Sequence, residues 1–451
     1  MSDVTVFFAI EIVLQHAPRS FLCIKTNTQP RRRGLQRAEQ EVSMQKTAVR
    51  STKENPGKTI DRGSEGNIAE RLLADAQALA HGIATRASEI EQQRRVPWDI
   101  IDSVRTCGLF KMLVPRSHGG LGLSVPDILP VIAALSAADG SVGWIAMIAA
   151  SSQMFCSRLP RTIYDELFEN GADPMVIGVG TPAGQAEKVA GGYRVTGRWP
   201  FASGCEDAQW ILAHCVIFDD GKPALVDGAP ITRFIVLPAN EWRIEETWHA
   251  SGLAGTGSHH IALDQVEISQ SRSCDLLNDP SCVEGAFEMT VLPFLPIAHA
   301  ALAVGIASGA LADLAAIANG GRRQILATSD QRDSPVFQNE LGRAGAGLEA
   351  AKSMLEVKSA SLWDRALKGS LDDKADFVEA LQASAWIHQT CTEFVDRCYE
   401  LAGSAVLTSS LERRMRDIHV AGQHMFASER YYAMAGARYL GFPPVNPLSG
   451  Q

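Results

Sequence analysis

Three short stretches hold the residues best suited to chemistry. The first is GRWPFASGCEDAQW, residues 197–210, where Trp199 and Phe201 flank a turn at Ala202, Ser203 and Gly204. Glycine there lets backbone approach a flat ligand closely. A serine hydroxyl donates and accepts, so Ser203 is expected to bond a ring nitrogen in either redox state. An ordinary aromatic strand-to-turn segment would look the same. The second is ETWHASGLAGTGSHHIALDQVEI, residues 246–268, with Gly255, Thr256, Gly257 and Ser258 in a small hydroxyl-rich loop before a strand. Exposed N–H groups and hydroxyls suit a phosphate or the edge of a polar ring; a plain glycine-rich hairpin is the alternative. His259 and His260 are adjacent, so on a strand they face opposite sides and cannot both enter one site. The third is LERRMRDIHVAGQHMFASERYY, residues 411–432. His424 carries an imidazole, whose ordinary pKa lies near neutrality and which can accept a phenolic or amine proton. A structural or exposed histidine is the commoner fate of a lone helical one. His419, five residues earlier, lies roughly 140° around a helix and is the weaker candidate.

These stretches need elements to hold them. From about residue 66, Ile68, Leu72, Leu73, Ala76, Leu79 and Ala80 recur at helical spacing. Pro97 opens a second helix and Gly108 ends it. Residues 127–138 and 142–155 read as two more helices, the second nearly all apolar. From about 175 the runs become short and β-branched, broken by Gly, Pro and Asp, which predicts strands and a small β-barrel. Helix returns from 286. Segments 291–318, 335–367, 374–402 and 411–440 predict a bundle of four long antiparallel helices. Ala301, Gly305, Gly309 and Ala310 permit close helix approach there. Residues 1–64 are expected to be disordered or an upstream extension, with Met44 a plausible natural start.

Composition removes several classes. The 451 residues are 46% hydrophobic and carry a net charge of -9, against a nucleic-acid surface. The nine cysteines form no C-x-x-C pair, so no metal site is expected and a reducing cytoplasm fits. The apolar run at 4–14 is too short to span a bilayer, and basic residues follow it rather than precede it, so no membrane anchor is expected. There is no G-x-G-x-x-G opening a βαβ unit, so electrons must come from elsewhere.

The order helices, strands, helices, with these motifs in sequence, resembles the acyl-CoA dehydrogenase superfamily over roughly residues 66–445. That resemblance implies a mainly α fold with a central β-barrel: N-terminal helices over 65–174, the barrel over 175–285 and a C-terminal four-helix bundle over 286–451. The 197–210 stretch is similar to the flavin-facing segment of the two-component flavin-dependent monooxygenase branch. By that match Ser203 sits beside N5 of the isoalloxazine, with Phe201 and Ala202 in the same cofactor-binding stretch. Trp248 lies against the flavin, while Thr256 and Ser258 line its ribityl-phosphate side. GRRQ, 321–324, resembles a turn whose arginine reaches the flavin phosphates of a neighbouring subunit; Arg322 is the better match and Arg323 the alternative, with a solvated basic turn the plain reading. Arg413, Arg414, Arg416 and Asp417 resemble the Arg-Asp pair that opens the last helix. Dehydrogenases then carry a catalytic Glu, where this chain has Gly422, Gln423, His424 and Met425. The monooxygenase branch places its proposed catalytic base, a histidine, at the position of His424. GSVGWIAMIAASSQMF, 140–155, resembles the helix that floors the substrate pocket, with Trp144 a pocket wall or plain core. Relatives often have a histidine where this chain has Ser152, which puts the substrate class in doubt. The resemblance implies reduced FMN or FAD, diffusible, together with O2. It also implies a separate NAD(P)H:flavin reductase, a small phenolic, indolic or polycyclic substrate and a homotetramer. The rivals are an FAD-dependent acyl-CoA dehydrogenase and a non-catalytic flavin-binding relative.

Overall fold

The computed structural model describes residues 62–288, 291–323 and 327–443, all within one compact unit. The segment expected to be disordered or an extension lies outside the described residues up to position 61; helix already runs from Arg62. The first helices are α1 (Arg62–Thr85), α2 (Ala87–Gln93), α3 (Trp98–Thr106), α4 (Val125–Ala138), α5 (Gly140–Cys156) and α6 (Arg161–Leu167). Their ends follow local chemistry. Ser124 and Asp127 form a reciprocal capping box at the start of α4. Asp139 caps α5, its carboxylate accepting from the N–H groups of Ser141 and Val142 at 2.9 and 3.2 Å.

Ten strands follow. The long ones are β1 (Val176–Val189), β2 (Gly192–Ala202), β3 (Trp210–Asp219), β7 (Thr232–Pro238) and β9 (His259–Ser269). Shorter ones are β4 (Lys222–Pro223), β5 (Leu225–Val226), β6 (Ala229–Pro230), β8 (Arg243–Glu245) and β10 (Ser273–Cys274). The main sheet runs β10-β7-β3-β1-β2-β9-β8, with β4 beside β3. The region expected to be a barrel is a sheet domain; no pairing among the described residues joins β8 to β10 and so no closed barrel is found. The pairing that matters for the site is antiparallel β2–β9, which sets Ala202 opposite His259. It brings the two candidate turns, around 203 and around 257, to one end of the same ladder.

The last part is a bundle of α7 (Phe294–Asn319), α8 (Pro335–Leu367), α9 (Asp373–Ala402), α10 (Leu411–Ala421) and α11 (Arg430–Tyr439). By length and composition α7 could cross a bilayer; here it is the buried centre of the bundle. Close approach is achieved through its glycines. A side chain at Gly305 would strike the Ala133 carbonyl of α4, and one at Gly309 would strike Arg414 of α10. The fourth expected helix, 411–440, is not continuous. It stops at Ala421, passes through a single 3-10 turn at Met425–Ala427, and restarts at Arg430. His424 is extended there, and its ring accepts the Phe426 N–H. A side chain that satisfies nearby backbone in this way competes with the helical ladder and ends it.

Candidate active site

The break in the last helical segment puts His424 off the helix and against α5. Its ring lies 5.8 Å from that of Trp144, edge to face. Trp144 is buried and its indole N–H donates to Ser203 Oγ at 2.9 Å. Ser203 Oγ is 2.7 Å from Ser258 Oγ, and Ser258 Oγ is 2.7 Å from Thr256 Oγ1. Thr256 in turn donates to the Leu253 carbonyl at 2.9 Å. All three hydroxyls are buried. The four consecutive bonds can run only one way. The indole has only a donor and the carbonyl only an acceptor, and each hydroxyl has one proton. The order is therefore Trp144 to Ser203 to Ser258 to Thr256 to Leu253. Ser203 spends its proton on Ser258 and keeps one lone pair free. The expectation that it serves equally as donor and acceptor is corrected: it offers a partner an acceptor.

The 248–258 loop is tied to three helices. Arg94, just after α2, donates to the carbonyls of Trp248 and Ala250 at 2.9 and 3.1 Å. Ser141 of α5 accepts the Gly255 N–H at 3.1 Å. Asp417 of α10 accepts the Leu253 N–H at 2.6 Å, and Arg416 holds the Ser251 carbonyl. Asp417 is fully enclosed beside Asp139; burial first and the neighbouring carboxylate second push its pKa up to about 7. His259 is spent on structure. Its Nδ1 accepts the N–H groups of Thr247 and Trp248 at 3.1 and 3.2 Å.

Trp248 is half-buried, with Phe201 6.2 Å away, edge to face. Phe201 is 62% exposed and held at φ 65°, an uncommon conformation for a bulky residue and one that marks functional turns. Ala202 is buried behind it. An exposed aromatic, a free hydroxyl lone pair and a tightly tied hydroxyl loop fit a flat ring with an N–H edge, as a reduced flavin presents. Phe201, Ala202, Ser203, Trp248, Thr256 and Ser258 would hold it.

Two histidines that sequence reasoning missed complete the cluster. His299 of α7 stacks on His424 at 4.4 Å, and His388 of α9 lies 4.5 Å from His299. The signal was present in α7 as the one imidazole in a continuous apolar run, but nothing in the sequence links it to 388 or 424. Burial lowers all three pKa values, to about 4 for His424 and His388 and well below the ordinary value for His299. All three are therefore neutral at pH 7. In neutral His424, Nδ1 accepts the Phe426 N–H at 3.3 Å, so its ring proton sits on Nε2. The lone pair expected of a base is occupied by backbone.

Two expected residues stand apart. Ser152 is buried, but its hydroxyl donates to the Ile148 carbonyl of its own helix at 2.7 Å and its oxygen abuts Gly178 of β1. Arg322 donates to Ser404 at 3.1 Å on the bundle, away from the other candidates within this chain. His419 is exposed and pairs with Asp396 at 2.8 Å.

Comparison with known proteins agrees with this geometry. A family described as "Acyl-CoA dehydrogenase, N-terminal domain" matches residues 70–162, and "Acyl-CoA dehydrogenase, C-terminal domain" matches 297–429. The chain is 30% identical to indole-3-acetate monooxygenase of Pseudomonas putida, over 82% of this chain and 94% of that protein. It is 29% identical to the oxygenase component of an FADH(2)-dependent resorcinol hydroxylase of a Rhizobium species, over 83% and 95%. In fold it matches XiaF from a Streptomyces species, solved with FADH2 and glycerol, at a TM-score of 0.79 and 22% identity, over 86% and 99%. The chain belongs to the acyl-CoA dehydrogenase family, in its branch of flavin-dependent monooxygenase oxygenase components.

Proposed function

We propose that this protein is the oxygenase component of a two-component monooxygenase that hydroxylates a small aromatic compound. One observation carries the choice over a dehydrogenase. Both histidine rings packed on Trp144, whose indole holds Ser203, are imidazoles, and one of them, His424, stands where a dehydrogenase carries its carboxylate. The nearest following carboxylate, Glu429, is exposed. Taking the α-proton of an acyl thioester requires a base with a free lone pair at that place; the lone pair of neutral His424 already accepts the Phe426 N–H.

Reduced FMN or FAD, when bound, supplies the electrons that activate O2 for transfer of one oxygen atom. The chain's own residues orient and protect. Ser203 gives its free lone pair to a ring N–H, which favours the reduced cofactor over the oxidised one. Trp144 and Ser258 fix that hydroxyl from both sides. His424 donates through Nε2, and the surrounding apolar helices exclude water. Because the chain shows no nicotinamide motif, a separate NAD(P)H:flavin reductase must deliver the cofactor. From the family resemblance we also take the sheet to be a small barrel, Arg322 to serve a neighbouring subunit's flavin, and the assembly to be a cytoplasmic homotetramer. Light scattering decides the stoichiometry.

The test is a panel of phenols, indoles and polycyclic aromatics with reduced flavin, a reductase, NADH and O2, read by mass spectrometry. A gain of one oxygen in a product is expected. For His424→Ala, hydroxylation should fall by roughly a hundredfold or more, the usual worth of a positioned proton group, with flavin binding retained. Anaerobic bleaching of a bound flavin by acyl-CoA would instead mark a dehydrogenase.

A further inference from the structure

His299 is 1% exposed, and neither of its ring nitrogens has a hydrogen-bond partner. Leaving both polar edges of a buried imidazole unpaired is costly, and native interiors rarely tolerate it. The ring is otherwise well packed. His424 stacks on it at 4.4 Å with 28° between planes, and His388 lies 4.5 Å away at 33°. Trp144 meets it nearly at right angles at 5.3 Å, and Phe426 does so at 6.1 Å. Two other elements of the bundle, α9 and the turn at 424–426, thus converge with α5 on one histidine of α7.

The arrangement excludes two simple roles. Stacked rings present faces to each other, whereas a hydrogen bond needs an in-plane nitrogen, so the three imidazoles are not a direct proton wire. Nor do they form a metal site; no group of ligands suited to one occurs among the described residues. Each neighbour has one committed ring nitrogen, while His388 Nδ1 is unpaired as well. His388 Nε2 donates to the His299 carbonyl at 3.2 Å, and His424 Nδ1 accepts from Phe426. Of the two rings packed on Trp144, His299 is the one with a nitrogen lone pair still free.

We propose that His299 is a substrate-binding residue, accepting the hydrogen bond of an O–H or N–H group on a neutral aromatic substrate, while His424 next to it acts as a donor. This rests on the oxygenase reading of the same site. It supplies a second imidazole from α7, where Ser152 of α5 leaves none. A buried polar atom left unpaired penalises a ligand that cannot pair with it, so the site should discriminate between a hydroxyl and its methyl ether.

The experiment uses resorcinol and 1,3-dimethoxybenzene, which share a ring but not a donor. Binding to the flavin-reduced protein is titrated anaerobically by tryptophan fluorescence, so no turnover is involved. Wild type should bind resorcinol at least tenfold more tightly than the ether. His299→Leu should remove that preference by weakening resorcinol alone, and His299→Gln, which keeps an acceptor, should restore part of it. If the Leu variant does not fold, His299→Phe is read by the same titration. A wild type that binds the two compounds alike, or a Leu or Phe variant that keeps the preference, overturns the assignment. The oxygenase reading fails separately, if the full panel yields no oxygenated product with the wild type.

Discussion

Ser203 shows what a single hydroxyl can be made to do. Its proton is committed to Ser258 because Thr256 is committed to the Leu253 carbonyl. Ser258→Ala frees that proton, and Ser203 can then donate to an oxidised ring nitrogen as well. The expected result is a fall of about five- to tenfold in the preference for reduced over oxidised flavin, the worth of one hydrogen bond. Paired titrations of the two flavin states measure it, and an unchanged ratio would remove the directional chain as a cause of selectivity. His424 is the complementary case. Its identity is a catalytic signal in the sequence, yet the 3-10 turn decides which nitrogen holds the proton.

At the level of elements, the loop 248–258 is positioned by helices distant in sequence. Gly252 lies where a Cβ would sit 2.2 Å from the Arg416 carbonyl of α10. That neighbour is backbone, so it cannot turn aside. Gly252→Ala should push the loop off α10, break the Asp417–Leu253 bond and displace the hydroxyls that follow. Stability should drop by about 1–3 kcal/mol, as for other overpacked sites, and flavin affinity should fall more steeply than stability alone explains. Equal wild-type flavin affinity in a destabilised variant would show that the tie to α10 does not position the cradle. Gly305 and Gly309 make the corresponding contacts of α7 with α4 and α10.

For the whole molecule, buried titratable groups set the response to acid. The unfolded chain takes up protons at its histidines near 6.5, whereas folded His388 and His424 refuse them until about 4. Between those values the unfolded state binds more protons. Stability therefore falls as pH drops, by roughly 1.4 kcal/mol per pH unit for each such group. Asp417 acts in the opposite sense. Its pKa rises from 3.8 to about 7 on folding, so its contribution is present at low pH and lost as pH rises through that window. Asp139 beside it is raised by burial too, and together they offset part of the effect of the histidines, to which buried His299 adds. Urea midpoints at pH 5 and pH 7 should show net acid destabilisation, and His388→Gln should flatten the slope. A wild type equally stable at both pH values would contradict this balance.

The sequence by itself determined the order of helical and strand blocks, because hydrophobic period and turn residues are local. It also singled out the stretch around Ser203 as a candidate to face a flat ring, and showed that no carboxylate stands at 424. Tertiary structure decided the rest. The β2–β9 register joined Ser203 to Ser258, and the interruption after Ala421 turned an expected helical histidine into one packed on Trp144. His299 stood out only as an imidazole in an apolar run and nothing tied it to His388, since α7 and α9 meet only through packing across a long separation in the chain. Proton direction in the hydroxyl chain, and the ring nitrogen that carries the proton in His424, follow from partners that no motif spacing specifies. A hydrogen bond is fixed by where both its ends stand, and only the folded chain brings those ends together.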